Sequence, residues 1–198
     1  MTVSAVILAG GASQRMGRPK QLLPVDGQPM LLHVVDAILA AGMTDVIVVL
    51  GASASEIAPL LAGRPVQVTI NQEWPEGIAS SLRCGLTCVS SAARAALFVP
   101  ADLPRLTAAA IQVVVDHFTR TGHAIVAPTC NGQRGNPVLF ARPLFGELMA
   151  LRGDRGGSML FPAHQADISY VETGDGGILL DIDTMDDYMQ ATGENHLL

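Results

Sequence analysis

The chain has few of the residues that mark specialised classes of protein. Of its 198 residues, only eight are aromatic and three are cysteine (Cys84, Cys88 and Cys130), and a single lysine stands among twelve basic residues. Three cysteines are an odd number without a paired metal-ligand spacing, so they predict reduced thiols rather than a disulfide framework or a zinc site. We therefore expect a cytoplasmic protein whose core is built from aliphatic side chains.

Long apolar runs and a basic surface are also lacking. No apolar run approaches the roughly 20 residues that span a bilayer, and no basic-then-apolar leader opens the sequence. The net charge is −6, which argues against a general nucleic-acid binder because such a protein neutralises phosphates with a basic surface. We expect neither a membrane nor a nucleic acid as a partner.

Apolar residues are abundant, at 49% of the chain against 15% charged residues, and this composition excludes a disordered protein. The length fits a single domain, residues 1–198, that buries roughly 70% of its unfolded surface. Charge is unevenly distributed along it. Arg15, Arg18 and Lys20 lie in the first 20 residues, which contain no acid, whereas four of the 18 acids lie in residues 181–187.

Short apolar runs alternate with segments of helical periodicity. Strands are predicted at residues 4–8, 45–50, 66–70, 95–99, 124–127, 137–140, 168–171 and 178–182. Helices are predicted at 30–41, 53–62 (with a Ser53–Glu56 capping box), 80–89, 107–121 (capped by Thr107, ended by Gly122), 142–160 with a break at 153–157, and after a Thr184–Asp187 cap. The alternation predicts an α/β fold with a mainly parallel, Rossmann-like sheet in three α/β/α layers. Ligands bind at the carboxyl ends of such strands, which selects the loops after residues 8, 70, 99 and 182.

The loop after the first predicted strand combines small residues with cations. It spans residues 8–20, LAGGASQRMGRPK. Small residues let backbone N–H groups approach an anion, and Arg15 and Lys20 supply the positive charge that phosphate oxygens require. The spacing matches neither a Walker A loop nor a G-x-G-x-x-G fingerprint. A flexible surface loop with solvated arginines is the alternative interpretation.

This loop resembles the signature L-A-[AG]-G-x-S-x-R-M-G-x-x-K of nucleotidyltransferases with the pyrophosphorylase-type fold. Residues 71–86, NQEWPEGIASSLRCGL, resemble the N-x-x-W-x-x-G-x-x-x-S-L-R-x-G-L segment of the molybdenum cofactor cytidylyltransferases. Four more stretches are similar to that branch: PADLP at 100–104, GNPVLF at 135–140, GDRG at 153–156 and DIDT at 181–184. The resemblance thus extends over nearly the whole chain.

The resemblance implies a fold of the nucleotide-diphospho-sugar transferase type and transfer of CMP from CTP to the phosphate of the molybdenum-cofactor pterin, with release of pyrophosphate. The first loop is then expected to wrap the triphosphate and base. The nucleotide-binding residues that it implies are Leu8, Ala9, Gly10, Gly11, Arg15, Lys20, Gly77, Ser80 and Ser81. For Ser80 and Ser81, simple capping of the helix that they open is the alternative.

The chemistry of this reaction calls for charge neutralisation more than for a strong base, because the attacking phosphate is already ionised. Lys20 and Arg15 are expected to hold the β- and γ-phosphates, and a Mg²⁺ ion is expected on one or two carboxylates. Asp102 and Asp183 are the predicted metal ligands, and Lys20, Arg15 and Asp102 the predicted catalytic residues. The alternative for Asp102 is that it caps its loop. The alternative for Asp183 is that it caps the last helix and that a neighbouring acid binds the metal instead.

A second substrate needs its own contacts. Arg83, Arg134 and Asn136 are the predicted acceptor-binding residues, although Arg83 could face solvent and turn chemistry could explain Asn136. Trp74 is interpreted either as a lid over the nucleotide or as an anchor for its loop.

Several hypotheses about the function are compatible with the sequence. The run Leu8–Gly11 is L-A-G-G, which is commoner in guanylyltransferase relatives than in this branch, where L-A-A-G is usual. GTP is therefore an alternative donor, and another small phosphorylated molecule is an alternative acceptor. A non-catalytic protein that delivers the cofactor is a further possibility. A molybdoenzyme or its chaperone is a candidate partner.

Overall fold

The computed structural model describes residues 2–193. Its strands are β1 (Val3–Ala9), β2 (Pro24–Val25), β3 (Gln28–Pro29), β4 (Val46–Leu50), β5 (Gln67–Ile70), β6 (Ala95–Pro100), β7 (Ile125–Cys130), β8 (Gln133–Arg134), β9 (Val138–Ala141) and β10 (Ile168–Glu172). Its α-helices are α1 (Met30–Ala40), α2 (Ala54–Ile57), α3 (Ile78–Cys88), α4 (Ala108–Thr121), α5 (Phe145–Ala150) and α6 (Met185–Thr192). Short 3₁₀ turns connect several of them.

The central sheet has the spatial order β10-β7-β9-β6-β1-β4-β5, with β8 paired to β7. β1 runs parallel to β4 and β6, while β9 is inserted antiparallel between β6 and β7. β2 and β3 form a separate hairpin. This arrangement confirms the predicted mainly parallel α/β fold.

The two faces of the sheet explain why the inner strands read as unbroken apolar runs. Ala5 and Ile7 of β1 pack with α1 and α4 on one side, whereas Val6 packs with α3 and α5 on the other. Because successive side chains of a strand point to opposite faces, a strand covered on both sides must be apolar throughout. Two helical layers thus enclose the sheet, as predicted.

The structure confirms two of the predicted helix caps. Thr107 Oγ1 accepts a hydrogen bond from Ala110 N (3.2 Å), and Gly122 ends α4 with φ 71°. Thr184 and Asp187 form a complete capping box at the start of α6.

Other local predictions were wrong. The Ser53 side chain makes no capping hydrogen bond, and α2 gives way to a 3₁₀ turn at Ala58–Leu61, which contains Pro59 near its start. Residues 178–182 form no strand; a 3₁₀ turn covers Gly176–Leu179 instead. The Asp175 side chain caps this turn by accepting from Gly177 N (2.7 Å), which bends the chain where an apolar run suggested extension.

Two further boundaries differ from the predictions. The predicted helix at 142–160 is reduced to α5 between two 3₁₀ turns, and α3 begins at Ile78, two residues before the predicted start. Between the predicted strands at 124–127 and 137–140, the chain forms the additional short strand β8. Within residues 2–193, no helix combines the length and apolarity needed to cross a membrane. All three cysteines are free.

Candidate active site

A cavity of about 520 Å³ opens at the carboxyl ends of β1 and β6. Five stretches of the chain form it: the loop after β1, the turn before α3 with the start of that helix, the loop after β6, the segment after α5, and the segment before α6. Its lining residues are Leu8, Gly10, Gly11, Ala12, Ser13, Gln14, Arg15, Lys20, Gln21, Trp74, Pro75, Gly77, Ile78, Ser81, Pro100, Ala101, Asp102, Asp154 and Asp183.

Most of the predicted site residues meet in this cavity. Those that line it are Leu8, Gly10, Gly11, Arg15, Lys20, Gly77, Ser81, Asp102 and Asp183. Those that do not line it are Ala9, Ser80, Arg83, Arg134 and Asn136. The predicted nucleotide and metal residues are therefore largely brought together, whereas the predicted acceptor residues lie elsewhere.

Lys20 lies at the centre of the charged residues. Its ammonium group donates to Asp102 Oδ2 at 2.6 Å, to Asp183 Oδ1 at 2.9 Å and to the carbonyl of Ile182 at 3.0 Å. An ammonium group has three N–H donors, so all of them are used within the protein. Arg15 donates to the second carboxylate oxygen of Asp183 at 3.0 Å.

The position of Asp183 depends on the backbone. Ile182 N donates to the carbonyl of Asp102 at 3.0 Å, which places Asp183 beside the loop after β6 although no strand precedes it. The Asp187 carboxylate accepts from Asp183 N at 3.1 Å, so the capping box of α6 also fixes this residue. Backbone pairing thus replaces the strand that the sequence predicted.

Burial and charge set the titration of these groups. Burial raises the pKa of Asp102, although the adjacent Lys20 ammonium opposes the rise. The hydrogen bond from Lys20, followed by that from Arg15, lowers the pKa of Asp183. Burial alone would lower the pKa of Lys20, but the negative charges of Asp102 and Asp183 and their hydrogen bonds have the larger combined effect, so the pKa of Lys20 is raised. Two carboxylates and two cations therefore balance one another across the cavity.

The donor set fits a divalent metal of the kind that keeps water and substrate ligands. The second oxygen of Asp102, Oδ1, is buried and accepts no hydrogen bond, so it retains lone pairs for a cation. In the described part of the chain, no group of three or more His, Cys, Asp or Glu side chains could hold a metal. Mg²⁺ is usually bound by one or two carboxylates together with substrate phosphates, so Asp102 and Asp183 suffice.

The loop after β1 is held by a residue that the sequence analysis did not select. Gln21 is buried, and its amide nitrogen donates to the carbonyls of Ala9 (2.9 Å) and Gly11 (3.2 Å). Ser13 adopts a left-handed conformation, and its hydroxyl accepts from Lys20 N at 3.1 Å. The sequence feature that could have pointed to Gln21 is its position as a polar residue directly after Lys20.

The two predicted serines differ in their surroundings. Asn71 Nδ2 donates to Ser80 Oγ at 2.8 Å and to Ser81 Oγ at 3.0 Å. The Ser80 hydroxyl in turn donates to the carbonyl of Gly77 within the first turn of α3. The helix begins at Ile78 after Gly77 and has no side-chain cap, so the capping alternative for the two serines was wrong. Ser81 lines the cavity instead, and a Cβ at Gly10 would approach its Oγ to 2.8 Å. The glycine therefore lets the first loop lie against α3.

The three predicted acceptor residues make contacts outside the cavity. Arg83 donates to Leu151 and to two glutamates. Arg134 is exposed on β8, and its guanidinium lies 4.8 Å from the ring centre of Phe161. The backbone N–H of Asn136 donates to the carbonyl of Ile178 at 3.0 Å.

The chain is similar to known proteins in both sequence and structure. The sequence pattern of the MobA-like NTP transferase domain matches residues 5–168. The structure of Rv0371c from Mycobacterium tuberculosis H37Rv superposes with a TM-score of 0.86 and 30% identity, covering 98% of this chain and 99% of that one. A manganese complex of the same mycobacterial protein superposes with a TM-score of 0.84 at 28% identity, covering 98% of this chain and 100% of that one.

Two curated proteins match over shorter segments. The bifunctional protein GlmU of Sorangium cellulosum is 34% identical over 133 residues, which cover 63% of this chain and 28% of GlmU. Nicotine blue oxidoreductase of Paenarthrobacter nicotinovorans is 36% identical over 84 residues, covering 42% of this chain and 41% of that protein. The matched segments thus span less than half the length of either relative.

Proposed function

The chain belongs to the MobA-like NTP transferase domain family, and we propose that it transfers CMP from CTP to the phosphate of the molybdenum-cofactor pterin, releasing pyrophosphate. The observation that carries the proposal is the meeting of Lys20 with Asp102 and Asp183, which lie 82 and 163 residues away along the chain. Such a meeting of one ammonium and two carboxylates, beside a loop rich in small residues, suits a metal-bound triphosphate.

In this reaction an oxygen of the acceptor phosphate bonds to the α-phosphorus of the nucleotide, and the bond from that phosphorus to the pyrophosphate oxygen breaks. Both reactants are anions that repel each other, so alignment and charge neutralisation are the main tasks of the protein. We assign the holding of the β- and γ-phosphates to Lys20 and Arg15. Backbone N–H groups at Gly10 and Gly11 can approach the phosphates because residues 9–13, AGGAS, are all small.

Mg²⁺ is the proposed cofactor, and Asp102 and Asp183 are the residues that would hold it. When bound, it supplies neutralisation of the phosphate charge. The manganese complex of Rv0371c supports a divalent ion in a protein of similar structure. Lys20 must exchange at least one of its three present acceptors for a phosphate oxygen, because it has no further N–H to donate.

The proposal also assigns roles to residues around the charged centre. Leu8, Gly77 and Ser81 line the cavity and are proposed contacts of the nucleotide. Ala9 and Ser80 lie behind the cavity lining and are proposed to hold it in place, because Ala9 accepts a hydrogen bond from Gln21 and Ser80 accepts one from Asn71. Arg134 and Asn136 are kept as proposed acceptor contacts. They would require the pterin to extend beyond the cavity.

Transfer from GTP to the same acceptor is the second candidate, because Gly10 gives the L-A-G-G form of the loop. A different phosphorylated acceptor is a further alternative, because the chain is also similar to GlmU, at 34% identity over 133 residues. Pure delivery of the cofactor is disfavoured, because a carrier has no need for a lysine and two acids around a triphosphate site. A molybdoenzyme or its chaperone is proposed as the protein that collects the product.

The decisive experiment incubates the purified chain with labelled CTP or GTP, Mg²⁺ and the reduced pterin cofactor. We expect a labelled dinucleotide and one pyrophosphate per product, with CTP preferred. Product from GTP alone would select the second candidate. Absence of pyrophosphate with both nucleotides would contradict this acceptor, and a screen of phosphorylated acceptors would follow.

A further inference from the structure

One wall of the cavity is a short turn between β5 and α3. The 3₁₀ turn Trp74–Glu76 leads into Gly77, whose φ of 101° places it in a region that favours glycine. Trp74, Pro75, Gly77 and Ile78 all line the cavity. Two backbone hydrogen bonds close the turn, from Glu76 N to the carbonyl of Glu73 (2.9 Å) and from Gly77 N to the carbonyl of Trp74 (3.2 Å). Both lie within the turn, so its position against the rest of the cavity depends on contacts with other segments.

The wall touches a second segment that comes from after α5. Ala79 N donates to the carbonyl of Gly153 at 3.1 Å, and a Cβ on Gly77 would lie 2.3 Å from Asp154 Oδ1. Asp154 itself lines the cavity. The two segments therefore form one continuous side of the site, although Gly77 and Asp154 are 77 positions apart in the sequence.

Arg83 joins these two segments from outside the cavity. Its guanidinium donates to Glu76 at 2.8 Å and Glu73 at 3.2 Å, on either side of Trp74, and to the carbonyl of Leu151 at 2.9 Å. The Arg83 side chain is 14% exposed, whereas those of Glu73 and Glu76 are 66% and 51% exposed. The largely buried Arg83 guanidinium thus binds the solvent-facing carboxylates of Glu73 and Glu76 together with a backbone carbonyl.

The shape of the guanidinium suits this task. It is planar and carries five N–H donors in fixed directions, so one side chain can bind acceptors on two segments at once. Exposed ion pairs add little to the stability of a fold. The contacts of Arg83 are therefore better suited to setting the position of the wall than to holding the domain together.

We propose that Arg83 is a positioning residue: it holds the Trp74 turn and the Gly153–Asp154 segment at the spacing that the nucleotide requires. This inference rests on the proposed function for the identity of the ligand. It also departs from a direct contact between Arg83 and the acceptor phosphate, because three of the five N–H donors of Arg83 bind protein acceptors and the residue does not line the cavity.

The chain offers a direct probe of this wall, because Trp74 is its only tryptophan. We compare Arg83→Met, Arg83→Lys and the double variant Glu73→Gln/Glu76→Gln by Trp74 emission and by acrylamide quenching, without any ligand. Arg64→Met is the matched control, because Arg64 forms an ion pair with Asp36 and does not line the cavity. Melting temperature is recorded for every variant.

We expect Arg83→Met to shift the emission of Trp74 and to increase its quenching, while its melting temperature and the emission of Arg64→Met stay close to wild type. KM for the nucleotide should rise by about 10- to 100-fold, the range that a misplaced binding wall can cost, with a smaller change in kcat. Arg83→Lys should recover only part of this loss, because one ammonium cannot serve both segments in the same geometry.

Combination of the variants separates the roles. Adding Arg83→Met to the double glutamine variant should change KM little further, because the carboxylate contacts are already lost. Unchanged Trp74 emission together with a loss in kcat would overturn the proposal and restore a contact with the acceptor. If the wild-type chain releases no pyrophosphate with either nucleotide, the proposed function fails, while the ligand-free emission and quenching still decide the role of Arg83.

Discussion

Lys20 shows how one residue can be selected as a candidate from sequence although its contacts cannot be predicted. Its place in a glycine-rich loop, as the single lysine of the chain, predicts a role with phosphates. The structure adds that its three N–H groups are shared among Asp102, Asp183 and Ile182. The ligand-free site is thus internally neutralised, and an incoming nucleotide must compete with carboxylates for the ammonium group.

Replacement of Lys20 by alanine tests its proposed role. We expect turnover to fall by roughly 10²- to 10³-fold, the usual loss when one preorganised charge donor is removed from a reaction centre. Pyrophosphate release at saturating nucleotide is the measurement. Arg18→Ala is the control, since Arg18 is exposed in the same loop and does not line the cavity. Near-normal turnover of Lys20→Ala would remove the loop from the mechanism.

Asp183 provides a test at acidic pH. Its pKa is lowered by the hydrogen bond from Lys20 and then by that from Arg15. A carboxyl group with a depressed folded-state pKa stabilises the fold above its unfolded pKa of about 3.9, and this contribution is lost as pH falls through the folded-state pKa. We expect Asp183→Asn to be less stable than wild type near neutral pH.

The difference should shrink as pH falls below about 4, because the wild-type carboxyl group then becomes protonated too. Urea denaturation at a series of pH values measures it. Asp181→Asn is the control, as it removes an exposed carboxylate two residues away that does not line the cavity. A difference that grows towards acid pH would contradict the assigned direction.

At the scale of elements, periodicity located most strands and helices but not their local exceptions. The run at 178–182 looked extended because it is apolar, yet Asp175 caps a 3₁₀ turn there. Ser53 had the spacing of a capping box without forming one, whereas Thr184 formed it fully. Competition between a side chain and the backbone for the same hydrogen bond depends on the surrounding chain, which periodicity does not describe.

Replacement of two helical glycines by alanine should change the free energy of unfolding in opposite directions. A Cβ at Gly85 of α3 would lie 2.3 Å from Val6 Cγ1 of β1, so Gly85→Ala should cost about 1–3 kcal/mol through overpacking. A Cβ at Gly146 of α5 meets nothing within 4 Å, so Gly146→Ala should gain up to about 1 kcal/mol. Urea unfolding of both variants gives the comparison. Equal effects would mean that α3 does not approach β1 so closely.

The whole molecule brings residues from opposite ends of the chain to one edge of its sheet. β1 lies between β4 and β6, so the loop after β1 reaches both the Trp74 turn and Asp102. A ligand that binds only this assembled edge must stabilise the folded state as a whole. The stability of the domain therefore becomes a measure of nucleotide binding.

Thermal unfolding with and without nucleotide uses this link. At a nucleotide concentration 100-fold above its Kd, we expect a stabilisation of about 2.7 kcal/mol for the preferred nucleotide in the presence of Mg²⁺. Chelation of the metal should reduce this gain but leave the unliganded melting temperature unchanged, since residues 2–193 contain no cluster of three metal-binding side chains. A fall in the unliganded melting temperature on chelation would reveal a structural metal instead.

The α/β architecture and the residues around which a triphosphate site is proposed could be predicted from the chain alone, because hydrophobic periodicity and motif spacing are local properties. Lys20, Asp102 and Asp183 could be selected in this way. The contacts themselves required the folded structure: the hydrogen bonds of Lys20, the bonds from Gln21 to the first loop, and the bonds of Arg83 to residues outside the cavity. Hydrogen-bond partners far apart in sequence are chosen by the packing of whole layers, and no short pattern encodes that choice.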